Sequence, residues 1–111
     1  GHVNAHGTST PRNDLAEARA IASVFGPRQI PVTASKGVLG HLIGAAGAVE
    51  SIVALRSNRE QVVPPTANLR TPDPELADLV DVANRPATPR SDVAISNSFG
   101  FGGHNATLVL G

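Results

Sequence analysis

The chain has 111 residues, 41% of them apolar and only three aromatic, all Phe. That length suits one folded domain with a modest core of small aliphatic side chains, and the apolar content argues against a disordered segment. Nine basic and nine acidic residues cancel to zero formal charge, which speaks against a nucleic-acid or anionic-membrane partner, and the lack of cysteine excludes disulfides and Cys-based zinc sites.

In chain order, His2 to Ala5 reads as a short strand and Gly7 to Asn13 (GTSTPRN) as a hydroxyl-rich loop. Asp14 is placed to cap a helix, with Glu17 three residues on completing a capping box. Leu15, Ala18, Ala22 and Phe25 recur at helical spacing until Gly26-Pro27 ends the run. Ile30 to Ala34 alternates as a second strand. After the turn-like Ser35-Lys36-Gly37, a second helix is predicted from His41 to Ser57. Its glycines lower helix propensity by about 1 kcal/mol each, so tertiary packing must hold it, and it reads as a buried central helix rich in Gly and Ala.

Gln61 to Leu69, with Pro64-Pro65, reads as extended loop, and RTPDP (70–74) and RPATP (85–89) as Pro-bearing turns. Leu79 to Ala83 is a candidate short strand. Val93 to Ser96 and Ala106 to Leu110 form a hairpin across the Gly-rich loop 100–103. The pattern is α/β with a mixed sheet and at least one crossover, expected to be right-handed. The apolar run from Leu42 to Leu55 is broken by Glu50 and Ser51 and is too short for a confident membrane span. No charged-then-apolar leader opens the chain, so a soluble, cytoplasmic domain is expected. Starting in a strand and ending just after an apolar run, the chain also reads as part of something larger.

Three segments could carry chemistry. In Asn4-Ala5-His6-Gly7-Thr8-Ser9-Thr10 a histidine at a strand end is followed by hydroxyls at Thr8 and Thr10, on one side of an extended loop. The alternative is a turn whose hydroxyls cap the next helix. His41 falls in the first turn of the predicted Gly/Ala helix, where the positive dipole end disfavours imidazolium and leaves a neutral donor for a carbonyl or enolate oxygen. A His41 satisfied by backbone alone fits the same position. Glu50 lies mid-helix among apolar residues; if buried it needs a positive partner, and Lys36 is the candidate. If the face is solvated, Arg56 and Glu60 are its natural company. In the third segment, Asn97 to Asn105 (NSFGFGGHN), Phe99 and Phe101 alternate with glycines as an apolar lid on a flexible hinge would. A dinucleotide fingerprint fails there, because Asn105 occupies the third Gly position and a strand follows. His2 and His6 would share a face only on a helix, and no H-E-x-x-H occurs, so no metal site is expected.

Taken together, NAHGTSTPRND, SKGVLGHLIGAAGAVES and NSFGFGGHN, with VVPPTANL between them, resemble in order and spacing the C-terminal half of a β-ketoacyl-acyl-carrier-protein synthase. The resemblance covers essentially the whole chain. It implies the thiolase-type fold, of which residues 1–111 form most of the second half, and decarboxylative condensation of an acyl thioester with malonyl-acyl-carrier protein in fatty-acid or polyketide synthesis. It implies His6 and His41 as catalytic histidines, Lys36 as the active-site lysine and Glu50 as its electrostatic support. Thr8 and Thr10 would hold the phosphopantetheine arm, so that no separate cofactor is needed. Phe99 and Phe101 would belong to the gating loop. The implied partners are acyl carrier protein, the N-terminal half with its nucleophilic cysteine, and a second copy in a homodimer, with neither nucleic acid nor membrane. His104, where many members carry a hydroxyl residue, is similar to the actinobacterial mycolate-type synthases. Lacking the cysteine, this chain alone is not expected to condense. A non-catalytic partner similar to chain-length factors, or an inactive fragment, are the other readings.

Overall fold

The structure, a computed structural model, describes residues 1–111. Four α-helices and five strands make up the chain. Strand β1 (His2–Asn4) leads into helix α1 (Pro11–Phe25) and strand β2 (Pro31–Thr33). A single helical turn, α2 (Lys36–Leu39), and a 3-10 turn (Ile43–Ala45) then lead into helix α3 (Ala46–Glu60). Helix α4 (Pro74–Ala77), strand β3 (Asp81–Val82) and the strands β4 (Ala94–Phe99) and β5 (Asn105–Leu110) complete the chain. The sheet order is β3-β2-β1-β4-β5. The first three pairings are parallel and β4–β5 is antiparallel, so the expected mixed α/β sheet is present.

Strand alternation divides the faces. Val3, Ala5 and Val32 pack with Ala18 and Ile21 of α1 and with Val80, forming the core on one side of the sheet. His2, Asn4 and His6 point the other way, toward α3, which packs on β4, β1 and β5. Gly47 permits this close approach, since a Cβ there would lie 3.1 Å from Ser98 Oγ.

Several local expectations are corrected. Helix α1 begins at Pro11, with Thr10 as the N-cap residue and proline in its favoured first position. The Asp14–Glu17 capping box therefore does not form. The Gly/Ala helix expected from His41 is α-helical only from Ala46. Gly40 at φ 72° and Ile43 at φ 51° interrupt the right-handed path, and α2 forms earlier where a turn was expected. Helix α3 is also not buried all round in this chain. It buries Ala46, Glu50, Ala54, Ser57 and Asn58, whereas Ile52 and Leu55 on another face are exposed. Helix α4 falls at the RTPDP turn, where Asp73 accepts the Glu75 N–H as an N-cap. No helix is long and apolar enough to cross a membrane.

Candidate active site

The chemistry-bearing residues collect beyond the carboxyl ends of the parallel strands, the usual ligand position in such sheets. His6 follows β1 by two residues, Lys36 follows β2 by three, and Phe99 ends β4. The imidazole rings of His6 and His41 lie 5.5 Å apart at 82°, and Phe99 lies 5.5 Å from His6. Lys36 Nζ is 2.6 Å from Glu50 Oε1, with both side chains almost fully buried. The same ammonium approaches His6 Nδ1 at 3.5 Å. The sequence-based pairing of Lys36 with Glu50 is thus present, and Glu50 is not on a solvated face. Arg56 and Glu60 pair with each other instead.

These contacts define which ring nitrogens are free. His41 Nδ1 accepts the Ile43 N–H at 3.2 Å. That leaves the proton on Nε2, a neutral donor. His41 lies in the exposed loop after α2 rather than in the first turn of α3, so this backbone contact replaces the helix-dipole argument. Ile43 itself takes φ 51°, a conformation that a β-branched residue rarely adopts. An ammonium facing His6 Nδ1 likewise favours the tautomer with the proton on Nε2. His6 is buried, and its pKa is lowered by desolvation first, then by the charges of Lys36 and His41, against a smaller opposing pull from Glu50 and Asp14. His6 is therefore neutral at pH 7.

Thr8 Oγ1 and Thr10 Oγ1 lie 2.9 Å apart at the edge of this cluster. Although Thr10 is the N-cap residue of α1, its side chain makes no capping hydrogen bond, and both hydroxyls stay at the surface loop. Phe101 stands on the short turn 101–103 with 90% of its surface exposed, whereas Phe99 is half-buried against His6.

Sequence reasoning missed Glu17. It is buried on α1, with Oε1 accepting the His6 N–H at 2.9 Å and Oε2 the Gly7 N–H at 3.0 Å. Oε1 also accepts from Asn97 Nδ2 at 3.0 Å. The signal was a carboxylate in phase with the apolar stripe of Ala18 and Ile21. Gly7 makes this grip possible: it sits at φ 46°, and a Cβ there would lie 2.6 Å from that of Ala34. Asn4, also buried, accepts the Ser35 hydroxyl at 2.7 Å and ties the ends of β1 and β2 together below the histidines.

A family model for the β-ketoacyl synthase C-terminal domain matches residues 1–70, and the chain belongs to that family. The chain is 52% identical over 110 residues to the 3-oxoacyl-[acyl-carrier-protein] synthase 2 of Mycobacterium bovis, and 49% identical over 111 residues to that of Synechocystis. These matches cover 99% and 98% of the chain but 26% of either relative, so the chain spans about a quarter of their length. Among solved structures, a β-ketoacyl synthase from Burkholderia phymatum superposes with a TM-score of 0.89 at 38% identity, covering 98% of this chain and 26% of that one. The ishigamide ketosynthase/chain length factor superposes with a TM-score of 0.90 at 38% identity, over 99% of this chain and 27% of that one. The thiolase-type α/β fold is shared with these ketosynthases.

Proposed function

We propose that this chain supplies the decarboxylation half of a β-ketoacyl-acyl-carrier-protein synthase, within a polypeptide of its relatives' length. The observation that carries the reading is the cluster of His6, His41, Lys36 and Glu50, in which each histidine Nδ1 faces a donor and each Nε2 is left free. Two neutral imidazole donors this close can converge on one thioester carbonyl oxygen. When the bond from the malonyl α-carbon to its carboxylate breaks, CO2 leaves and the electron pair moves onto that oxygen. Preorganised donors stabilise the resulting enolate. The enolate carbon then attacks an acyl thioester held on a cysteine in the remainder of the protein, and the thiolate departs.

Thr8 and Thr10, adjacent at the loop surface, suit hydrogen bonding to the amides of a phosphopantetheine arm presented by acyl carrier protein. Phe99 and Phe101 line and gate the acyl entrance. We place the whole synthase in the cytoplasm as a homodimer, using carrier-bound substrates and no further cofactor. Residues 1–111 serve as its C-terminal domain. Exposure of Val38, Leu42, Ile43 and Ile52 beside the site supports the reading that other protein closes it. A purely structural partner subunit has no need of a buried Lys36–Glu50 pair aimed at His6.

The test is malonyl-carrier-protein decarboxylation by the complete polypeptide carrying His6→Ala or His41→Ala. Each is expected to abolish CO2 release. Near-normal release by both would overturn the assignment.

A further inference from the structure

Helix α1 and the β4–β5 hairpin meet at a partly buried hydrogen-bond chain that none of the roles above uses. Glu17 grips the backbone of the His6-Gly7 turn with both carboxylate oxygens. Asn97 Nδ2 donates to Glu17 Oε1 at 3.0 Å, and Thr107 Oγ1 donates to Asn97 Oδ1 at 2.9 Å. Asn97 and Thr107 are directly opposed in the antiparallel ladder, so their side chains meet without any bend of the strands. Asn97 and Glu17 are buried, whereas Thr107 is exposed on the edge strand.

An asparagine amide can face a carboxylate in two ways, and only one is attractive. With Nδ2 toward Glu17 the amide donates; turned over, Oδ1 would face a negative oxygen. The correct orientation leaves Oδ1 buried and in need of a donor, which Thr107 provides. We propose that Thr107 is a positioning residue for His6: its hydroxyl fixes the Asn97 amide, which aims Glu17, which holds the His6 and Gly7 amides in place. The proposal rests on His6 serving decarboxylation as set out above, and it extends the functional site across the sheet to a strand that carries no reacting group.

The test uses the complete synthase polypeptide with Thr107→Val, which keeps the shape and removes the hydroxyl, and Thr107→Ser, which keeps the hydroxyl. Malonyl decarboxylation by Thr107→Val is expected to fall about tenfold, the consequence of one misoriented buried hydrogen bond. Acylation of the nucleophilic cysteine should be unchanged, and Thr107→Ser should restore decarboxylation. Amide hydrogen exchange in a peptide spanning His6 and Gly7 should quicken in Thr107→Val only, reading the clamp without reference to activity. Decarboxylation within twofold of the parent, an equal loss in both half-reactions, or unchanged exchange at His6 and Gly7 would each overturn the proposal. His6→Ala measured alongside separates the two ideas: if it still decarboxylates, the role of His6 fails, while the exchange result still decides whether Thr107 holds the turn.

Discussion

Removing the ammonium of Lys36 should have two separable consequences. Its Nζ sits 2.6 Å from Glu50 Oε1 in a nearly water-free setting, the side chains being 7% and 2% exposed. Lys36→Met leaves the Glu50 carboxylate buried without its cation, a change that typically costs about 3–5 kcal/mol. Glu50→Gln strands the ammonium instead and should cost a similar amount. The double variant Lys36→Met/Glu50→Leu removes both charges and should lose less than the sum of the single changes, so a double-mutant cycle on the urea midpoint of the complete protein reads the pair. The second consequence concerns His6. Lys36 lowers its pKa and Glu50 raises it, so Lys36→Met should move the acid limb of the decarboxylation profile to higher pH and Glu50→Gln to lower pH. Single variants each costing less than about 1 kcal/mol with simple additivity, or limbs moving in the same direction, would refute the buried-pair account.

Two further outcomes follow from the same geometry. His6 has a folded pKa below its ordinary 6.5, chiefly through desolvation. Between that lowered value and 6.5 the unfolded chain binds more protons, so stability from a neutral His6 is complete above pH 6.5 and is lost as pH falls through the folded pKa. The urea midpoint should therefore drop on acidification from pH 7, and His6→Asn should drop less; an identical acid dependence would exclude His6 as a contributor. Phe101 is 90% exposed, so Phe101→Ala should change stability by no more than about 0.5 kcal/mol while altering the rate or chain-length preference of cysteine acylation. Unchanged acyl transfer would remove it from the gate.

Periodicity located helix α1 and strand β2, because Ala18 and Ile21 fall on one helix face and Val32 takes the inward position of its strand, all three buried. It failed where backbone conformation rather than hydrophobic pattern decides. The segment 40–45 has the composition of a helix start, yet Gly40 and Ile43 take positive φ, and the helix begins only at Ala46. Glu17 fitted a capping box by spacing alone. Pro11 can occupy the first helical position at no cost because it needs no N–H partner there, so the helix starts three residues before Asp14 and Glu17 rotates inward. Local signals cannot report that rotation, since the donors that reward it, His6, Gly7 and Asn97, are 11, 10 and 80 residues away in the chain.

The same contrast explains why the proposed reacting groups were easier to find than the groups that hold them. His6, His41 and Lys36 are picked out by the resemblance of their segments to the ketoacyl synthase pattern, since residue type and spacing alone leave a capped turn or a backbone-satisfied histidine open. The holding groups are ordinary residues made specific by burial. A carboxylate on a helix, an asparagine in a strand and a threonine on an edge gain meaning only when the sheet brings β1 between β2 and β4. Helix α1 then lies over the β1 end, and one carboxylate can close two backbone amides at once. In the proposed mechanism, catalysis by neutral imidazoles depends on this support. A neutral donor offers less attraction to an enolate than a cation would, so its advantage lies in being fixed in place before charge develops. On that argument, loosening the His6-Gly7 turn should reduce decarboxylation while the His6 imidazole itself remains intact.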